Sequence, residues 1–230
     1  MSDLPQILSV LGDGLPDTIL ATLGGIVLTV VLAFGAGLLL LSPRTWVRGI
    51  TRVYVEGFRG TSEVVQLFWI YFVLPVIVGY QLVPLVAGIA VLGLNHGAYG
   101  AEIVRGAIRS VPRAQYEGAV ALNLSPAQRM RRVILPQALV EILPPLNNLF
   151  IQLLKSTAVL ALITVPEVTR QAREVLIPNF GDDTFLIFGV VFVIYLGLAA
   201  VITLVMRLLE RWAAGRLGRR PVKADPLEAV

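Results

Sequence analysis

The chain has 230 residues, 56% of them hydrophobic and only 15% charged, with a net charge of +4 carried by 17 arginines and 2 lysines against 15 acidic residues. A mean hydropathy of +0.79 excludes an ordinary soluble domain and makes a single integral-membrane unit the starting point. The absence of cysteine removes a disulfide framework, a thiolate metal site and a thiol nucleophile, and nothing in the charge balance implies nucleic acid or another acidic polymer as a partner.

The opening stretch, MSDLPQILSVLGDGLPD, has no basic residue and no small-residue cleavage pattern, so it predicts an external interfacial helix over residues 1–17 rather than a removable signal. About 20 apolar residues at 1.5 Å rise cross the hydrocarbon core, and five segments qualify: 18–41, 64–80, 81–101, 142–165 and 184–206. Only GYQLVP, Gly79 to Pro84, separates the second from the third. All 19 basic residues except Lys155, Arg170 and Arg173 fall after spans one, three and five, while Asp3, Asp13, Asp17, Asp182 and Asp183 mark the opposite side. The positive-inside rule then predicts an outside N-terminus, a cytoplasmic C-terminus, a cytoplasmic loop over 102–141 and a basic cytoplasmic tail over 212–230.

Within that loop, EGAVALNLSPAQRMRRVILP, Glu117 to Pro136, is charged and helical in pattern. Tyr116 to Leu122 continues a helix, Asn123 suits a left-handed turn, and Ser125, Pro126 and Gln128 fit the cap, first and third positions of a capping box. Leu135-Pro136 and Pro144-Pro145 predict the return towards the membrane. Arginines that only enforce topology would explain the charge; the small pair Gly118-Ala119 favours a docking element, because it lets a partner surface come close.

This stretch resembles the coupling motif of permease subunits of bacterial ATP-binding-cassette importers, which reads Glu-Ala-Ala, three residues, Gly, nine residues, Ile-x-Leu-Pro. Here Glu117, Gly118, Ala119, Asn123, Val133, Leu135 and Pro136 stand at the matching spacing, with Gly118, Asn123 and Val133 departing from the pattern. FRGTSEVVQLFWIYFVLP (58–75), LNHGAYGAEIVRGAIRSVPRAQYEGA (94–119), VILPQALVEILPPLNNLFIQLLKSTA (133–158) and LLER (208–211) are similar to the polar amino-acid importer branch, and RGTSEVVQLFW with LNHGAYGAEIVRGAI to its ectoine and hydroxyectoine subunits. The resemblance implies an all-α transmembrane domain over 18–211, with five spans and a coupling helix between spans three and four. It also implies a second permease subunit, same or related, a solute-binding protein outside, and separate ATPase subunits that use ATP and magnesium. It assigns ATPase coupling to Glu117, Gly118, Ala119, Asn123, Ser125 and Pro136. The chain has no phosphate-binding glycine loop of its own: Lys155-Ser156-Thr157 mimics only the end of one, with Leu149 and Leu154 where glycines would stand.

Polar groups at membrane depth are candidates for a solute path. Asn95, His96 and Tyr99 form one cluster; Asn147, Asn148, Gln152, Lys155, Ser156 and Thr157 form another. Interhelical hydrogen bonding is the competing account, favoured for Asn95, Asn147 and Asn148, and simple packing the competing account for His96, the only histidine. No second histidine or cysteine exists to share a metal with it. Lys155 requires a water-filled cavity or a partner, and Glu102 lies too far along the membrane normal to be that partner. An ion-coupled transporter or channel would show inverted repeats, and a membrane enzyme a nucleophile with its base; neither pattern is present.

Overall fold

A computed structural model describes residues 4–216; the start of the predicted N-terminal segment and Arg219, Arg220 and Lys223 of the predicted tail lie outside the described residues. Among the described residues every regular element is helical. α1 spans Leu4–Asp13 and α2 Leu15–Leu39. Gly14 forms the elbow between them, where a Cβ would come within 2.7 Å of the Val168 backbone nitrogen, so only glycine lets the joint close on that segment. Thr18 fixes the contact: its Oγ1 accepts from Val168 N–H at 3.2 Å and donates to the Gly14 carbonyl at 3.0 Å.

The arginine-bearing stretch after α2, outside the five predicted spans, is a helix, α3 (Thr45–Arg59). Its polar residues dilute the apolar run but keep a helical period: Thr51 and Val55 are buried, while Trp46, Ile50 and Val53 are exposed on another face. α4 (Glu63–Val78) leaves α3 at a bend of 105°. Gly79, at φ +72°, ends α4 within the predicted GYQLVP turn. α5 then runs from Pro84 to Ser110, well past the predicted end of span three. After α6 (Arg113–Ala121), α7 covers Pro126–Ile163, α8 covers 168–179 within a predicted loop, and α9 spans Thr184–Arg216.

α5 is the central helix. Against α2, its Gly93 and Gly97 receive Leu28 and Leu32, and Gly37 of α2 receives Val104; a Cβ at any of the three would lie under 3.0 Å from the neighbouring side chain. This small-residue seam allows close packing where lipid offers no hydrophobic drive between helices. On its other side, Val104 and Ile108 pack with Ile134, Ala138, Ile142 and Leu149 of α7. At the opposite end Ile7 and Leu11 of α1 pack with Val168, Ala172 and Leu176 of α8 and Ile187 of α9. Leu4–Leu39, Pro126–Ile163 and Gly181–Gly215 are each long and apolar enough to cross a membrane, and α3 with α4 would make one further, broken span. Sheathed by its neighbours, α5 can carry Asn95, His96, Glu102 and Arg105 and is not among them.

Among the described residues three π-helical turns, Trp69–Val73, Met130–Ile134 and Gln171–Leu176, each stand immediately before an apolar residue and a proline: Leu74-Pro75, Leu135-Pro136 and Ile177-Pro178. A proline in a helix donates no hydrogen bond, and its ring crowds the carbonyl four residues back; the wider turn makes room for that carbonyl. None of the prolines expected to mark the return towards the membrane breaks the helix there. α7 continues through Pro136, and Pro144 and Pro145 both lie inside it.

Candidate functional site

The segment between α5 and α7 forms as its local chemistry dictates. α6 ends with Asn123 in the left-handed region at φ 55°. Ser125 Oγ accepts from Gln128 N–H at 3.3 Å, and Gln128 Oε1 accepts from Ser125 N–H at 3.0 Å, completing the capping box. Glu117 and Gly118 are exposed, and a Cβ on Gly118 would meet nothing within 4 Å. Ala119 is not part of that open surface, contrary to expectation: it is 3% exposed, and the outward apolar groups are Val120 and Leu122, the latter 75% exposed. Pro136 is half-buried within α7.

Two tethers hold α6 to the helix bundle, and neither was anticipated. Tyr116 Oη donates to the Ile108 carbonyl of α5 at 3.1 Å, and Gln137 Nε2 of α7 donates to Gln115 Oε1 at 3.0 Å. Burial pushes the Tyr116 phenol above its ordinary pKa, with the Arg129 charge pulling the other way. Tyr116 is the sole aromatic residue of α6, a signal that could have pointed to an anchor.

The intramembrane polar residues divide differently from their sequence clusters. Asn95 Nδ2 donates to the Phe58 carbonyl and to Gln66 Oε1, both at 3.1 Å, and Gln66 Nε2 donates to Phe58 O at 2.8 Å and Thr61 Oγ1 at 2.7 Å. These bonds close the polar groups of the α3–α4 bend. His96 is 1% exposed, with Nδ1 3.0 Å from the Leu92 carbonyl and Nε2 without a protein partner. Tyr99 is at the surface; its Oη donates to Arg59 O at 3.3 Å, and the Arg59 guanidinium lies 5.2 Å from its ring centroid.

On α7, Asn148, Gln152 and Lys155 share one exposed face. Thr157 faces inward, donating to Leu154 O at 2.7 Å. Lys155 borders a cleft of about 540 Å³ between α7 and α9, walled by Ile151, Leu154, Phe192 and Leu196. Glu102 takes Arg105 as its partner, with Nε at 2.9 Å. The structure therefore brings Asn148, Gln152 and Lys155 together and sets Asn95, His96 and Thr157 apart from them. It also adds Glu63, whose Oε2 accepts from Ser156 Oγ at 2.9 Å across α4 and α7.

The family described as binding-protein-dependent transport system inner membrane component matches residues 8–216. The chain belongs to that family. This permease is 43% identical over 93% of its length, and 93% of the relative's, to a probable amino-acid ABC transporter permease protein, y4tF, of Sinorhizobium fredii. It is 38% identical to the glutamine transport system permease protein GlnP of Escherichia coli K12, covering 84% of this chain and 86% of the relative. A crystal structure of an amino acid ABC transporter with histidines superposes with a TM-score of 0.81 at 30% identity, covering 91% of this chain and 96% of the other.

The permease is thus a multi-pass inner-membrane component of an ATP-driven importer, with ATP hydrolysed by a separate subunit and solute delivered by a binding protein. Its exposed row of Asn148, Gln152 and Lys155 is unsuited to hydrocarbon, since an ammonium at membrane depth costs about 2.5–3.5 kcal/mol or more when facing lipid.

Proposed function

We propose that this permease lines the translocation path of an importer for a polar amino acid or a related zwitterion, ectoine among the candidates, with Asn148, Gln152 and Lys155 facing that path. The observation that carries this reading is their common exposed face on an apolar helix, a face that calls for water, solute or a second permease subunit. In this reading the chain crosses the membrane five times, by α1–α2, the broken α3–α4 pair, α5, α7 and α9. The N-terminus is outside and α6 is cytoplasmic. Glu117, Gly118, Asn123 and Ser125 present the docking surface to the ATPase, Ala119 and Pro136 shape it from within, and ATPase closure turns the spans as rigid bodies. Asn95, His96, Tyr99 and Thr157 support the path from behind or at its edge.

The test is uptake by the complete importer in proteoliposomes. Uptake of labelled glutamine and ectoine should require ATP inside, and Lys155→Met should weaken uptake without loss of the assembled complex. Uptake driven by an ion gradient in the absence of ATP would favour an ion-coupled transporter instead. Unchanged uptake in Lys155→Met would remove that face from the path.

A further inference from the structure

Five arginines converge in one groove. Arg48, Arg52 and Arg59 of α3 face Arg105 and Arg109 of α5 across a cleft of about 330 Å³. Among the described residues Glu56 and Glu102 are its only acidic lining, and each is already engaged: Glu56 lies 3.6 Å from Arg52, and Glu102 pairs with Arg105. Arg48 reaches only backbone carbonyls, Ser42 O at 2.8 Å and Pro43 O at 3.1 Å. Arg59 lies over the Tyr99 ring, and Arg109 has no acceptor among the described residues. Three guanidinium groups therefore share the groove without a carboxylate. Topology alone asks for basic residues at this end of the bundle, but it does not ask that they converge on one cleft.

We propose that this groove holds the phosphate of an anionic phospholipid from the cytoplasmic leaflet; the leaflet rests on the orientation proposed above. The depth fits a headgroup. Leu40, just beyond the end of α2, lines the groove, and Arg109 lies in the last turn of α5, beside α6. The surroundings fit acyl chains. On α3 the charged ribbon borders an exposed apolar ribbon of Trp46, Ile50 and Val53, with Gly49 between them adding no side chain. A helix showing charge and apolar surface side by side suits a membrane boundary, here the cytoplasmic entry to the broken α3–α4 span, and Trp46 is the residue type found there. Planar guanidinium groups suit phosphate oxygens, which they grip through paired N–H donors. Free phosphate offers the same oxyanion but gains nothing from the apolar ribbon.

The experiment uses the intact importer reconstituted in phosphatidylcholine with or without phosphatidylglycerol, then extracted and weighed by native mass spectrometry. Wild type should retain phosphatidylglycerol and no phosphatidylcholine. Arg52→Gln with Arg109→Gln should lower retention about fivefold for each charge removed, and Glu56→Gln, at an exposed site, should raise it. Equal retention across these variants would overturn the site. Displacement of the lipid by inorganic phosphate at equal concentration would overturn the lipid as its occupant. Variant-sensitive retention in a protein whose residue 129 is labelled from outside the cell would keep the phosphate site and overturn only its leaflet.

Discussion

Gly118→Leu separates docking from folding. Within the chain the change is benign: a Cβ at residue 118 meets nothing within 4 Å, and leucine is a better helix former than glycine by about 0.8 kcal/mol. The isolated permease should therefore insert and unfold like wild type, or slightly later on heating. Against a docked ATPase the same side chain would occupy the gap that glycine leaves, and overpacking of this kind costs about 1–3 kcal/mol, roughly 5-fold to 150-fold in affinity. The assay is co-purification of the ATPase subunits on a tagged permease, with solute-stimulated ATP hydrolysis and uptake measured on the same preparation. Ala119→Leu supplies the contrast. Ala119 is buried, so its enlargement should lower the thermal stability of the permease itself. Wild-type uptake by Gly118→Leu with the ATPase retained would refute the docking of this face.

Other tests address orientation, His96 and a buried carboxylate. A single cysteine at residue 182 should react with an impermeant reagent in intact cells and one at residue 129 should not; the reverse would invert the topology. His96→Leu should leave solute preference unchanged and stability within about 1 kcal/mol of wild type, since it gives up one contact, Nδ1 to the Leu92 carbonyl, and relieves a buried Nε2 that has no protein partner; altered preference would place His96 in the path. Glu167 is fully buried at the start of α8, where its carboxylate accepts from the backbone N–H of Thr169 at 2.7 Å and of Arg170 at 2.6 Å. Burial raises its pKa above the ordinary 4.5, and those hydrogen bonds only partly oppose the rise. The folded state therefore favours the protonated form, a contribution complete below about pH 4.5 and lost as pH rises through the higher folded value. Glu167→Gln should flatten this part of the dependence of thermal unfolding on pH, and an unchanged profile would show that Glu167 does not titrate there.

What could be read from the residues was the chemistry that acts locally or over a whole span. α2 and α9 are apolar on every side, so no neighbour is needed to recognise them. Asn123 and the Ser125–Gln128 pair fix their own backbone and form as predicted. α3 was missed because Arg48, Arg52 and Arg59 weaken its apolar signal while serving a groove made jointly with α5. The extent of α5 was underestimated for the same reason: its polar residues are compatible with a central position that only its neighbours create. The Glu117-Gly118-Ala119 motif suggested close approach but could not tell that Ala119 points inward, because that depends on where Tyr116 and Gln115 tie α6 to the bundle.

The wide turn at Met130–Ile134 changes how the polar face of α7 must be counted. A π turn holds one residue more than an α turn, so everything beyond it is rotated by about 100° relative to an uninterrupted helix. A helical ruler laid from Arg129 towards Lys155 without that step assigns Asn148 and Gln152 to the wrong side. The additional residue and Pro136 form one unit of sequence. Deleting a residue from Met130–Ile134 while keeping Pro136 restores the ring-to-carbonyl clash and turns Asn148, Gln152 and Lys155 away from their present side; a chain with alanine at residue 136 loses the clash but still needs the inserted residue to keep its polar row in phase.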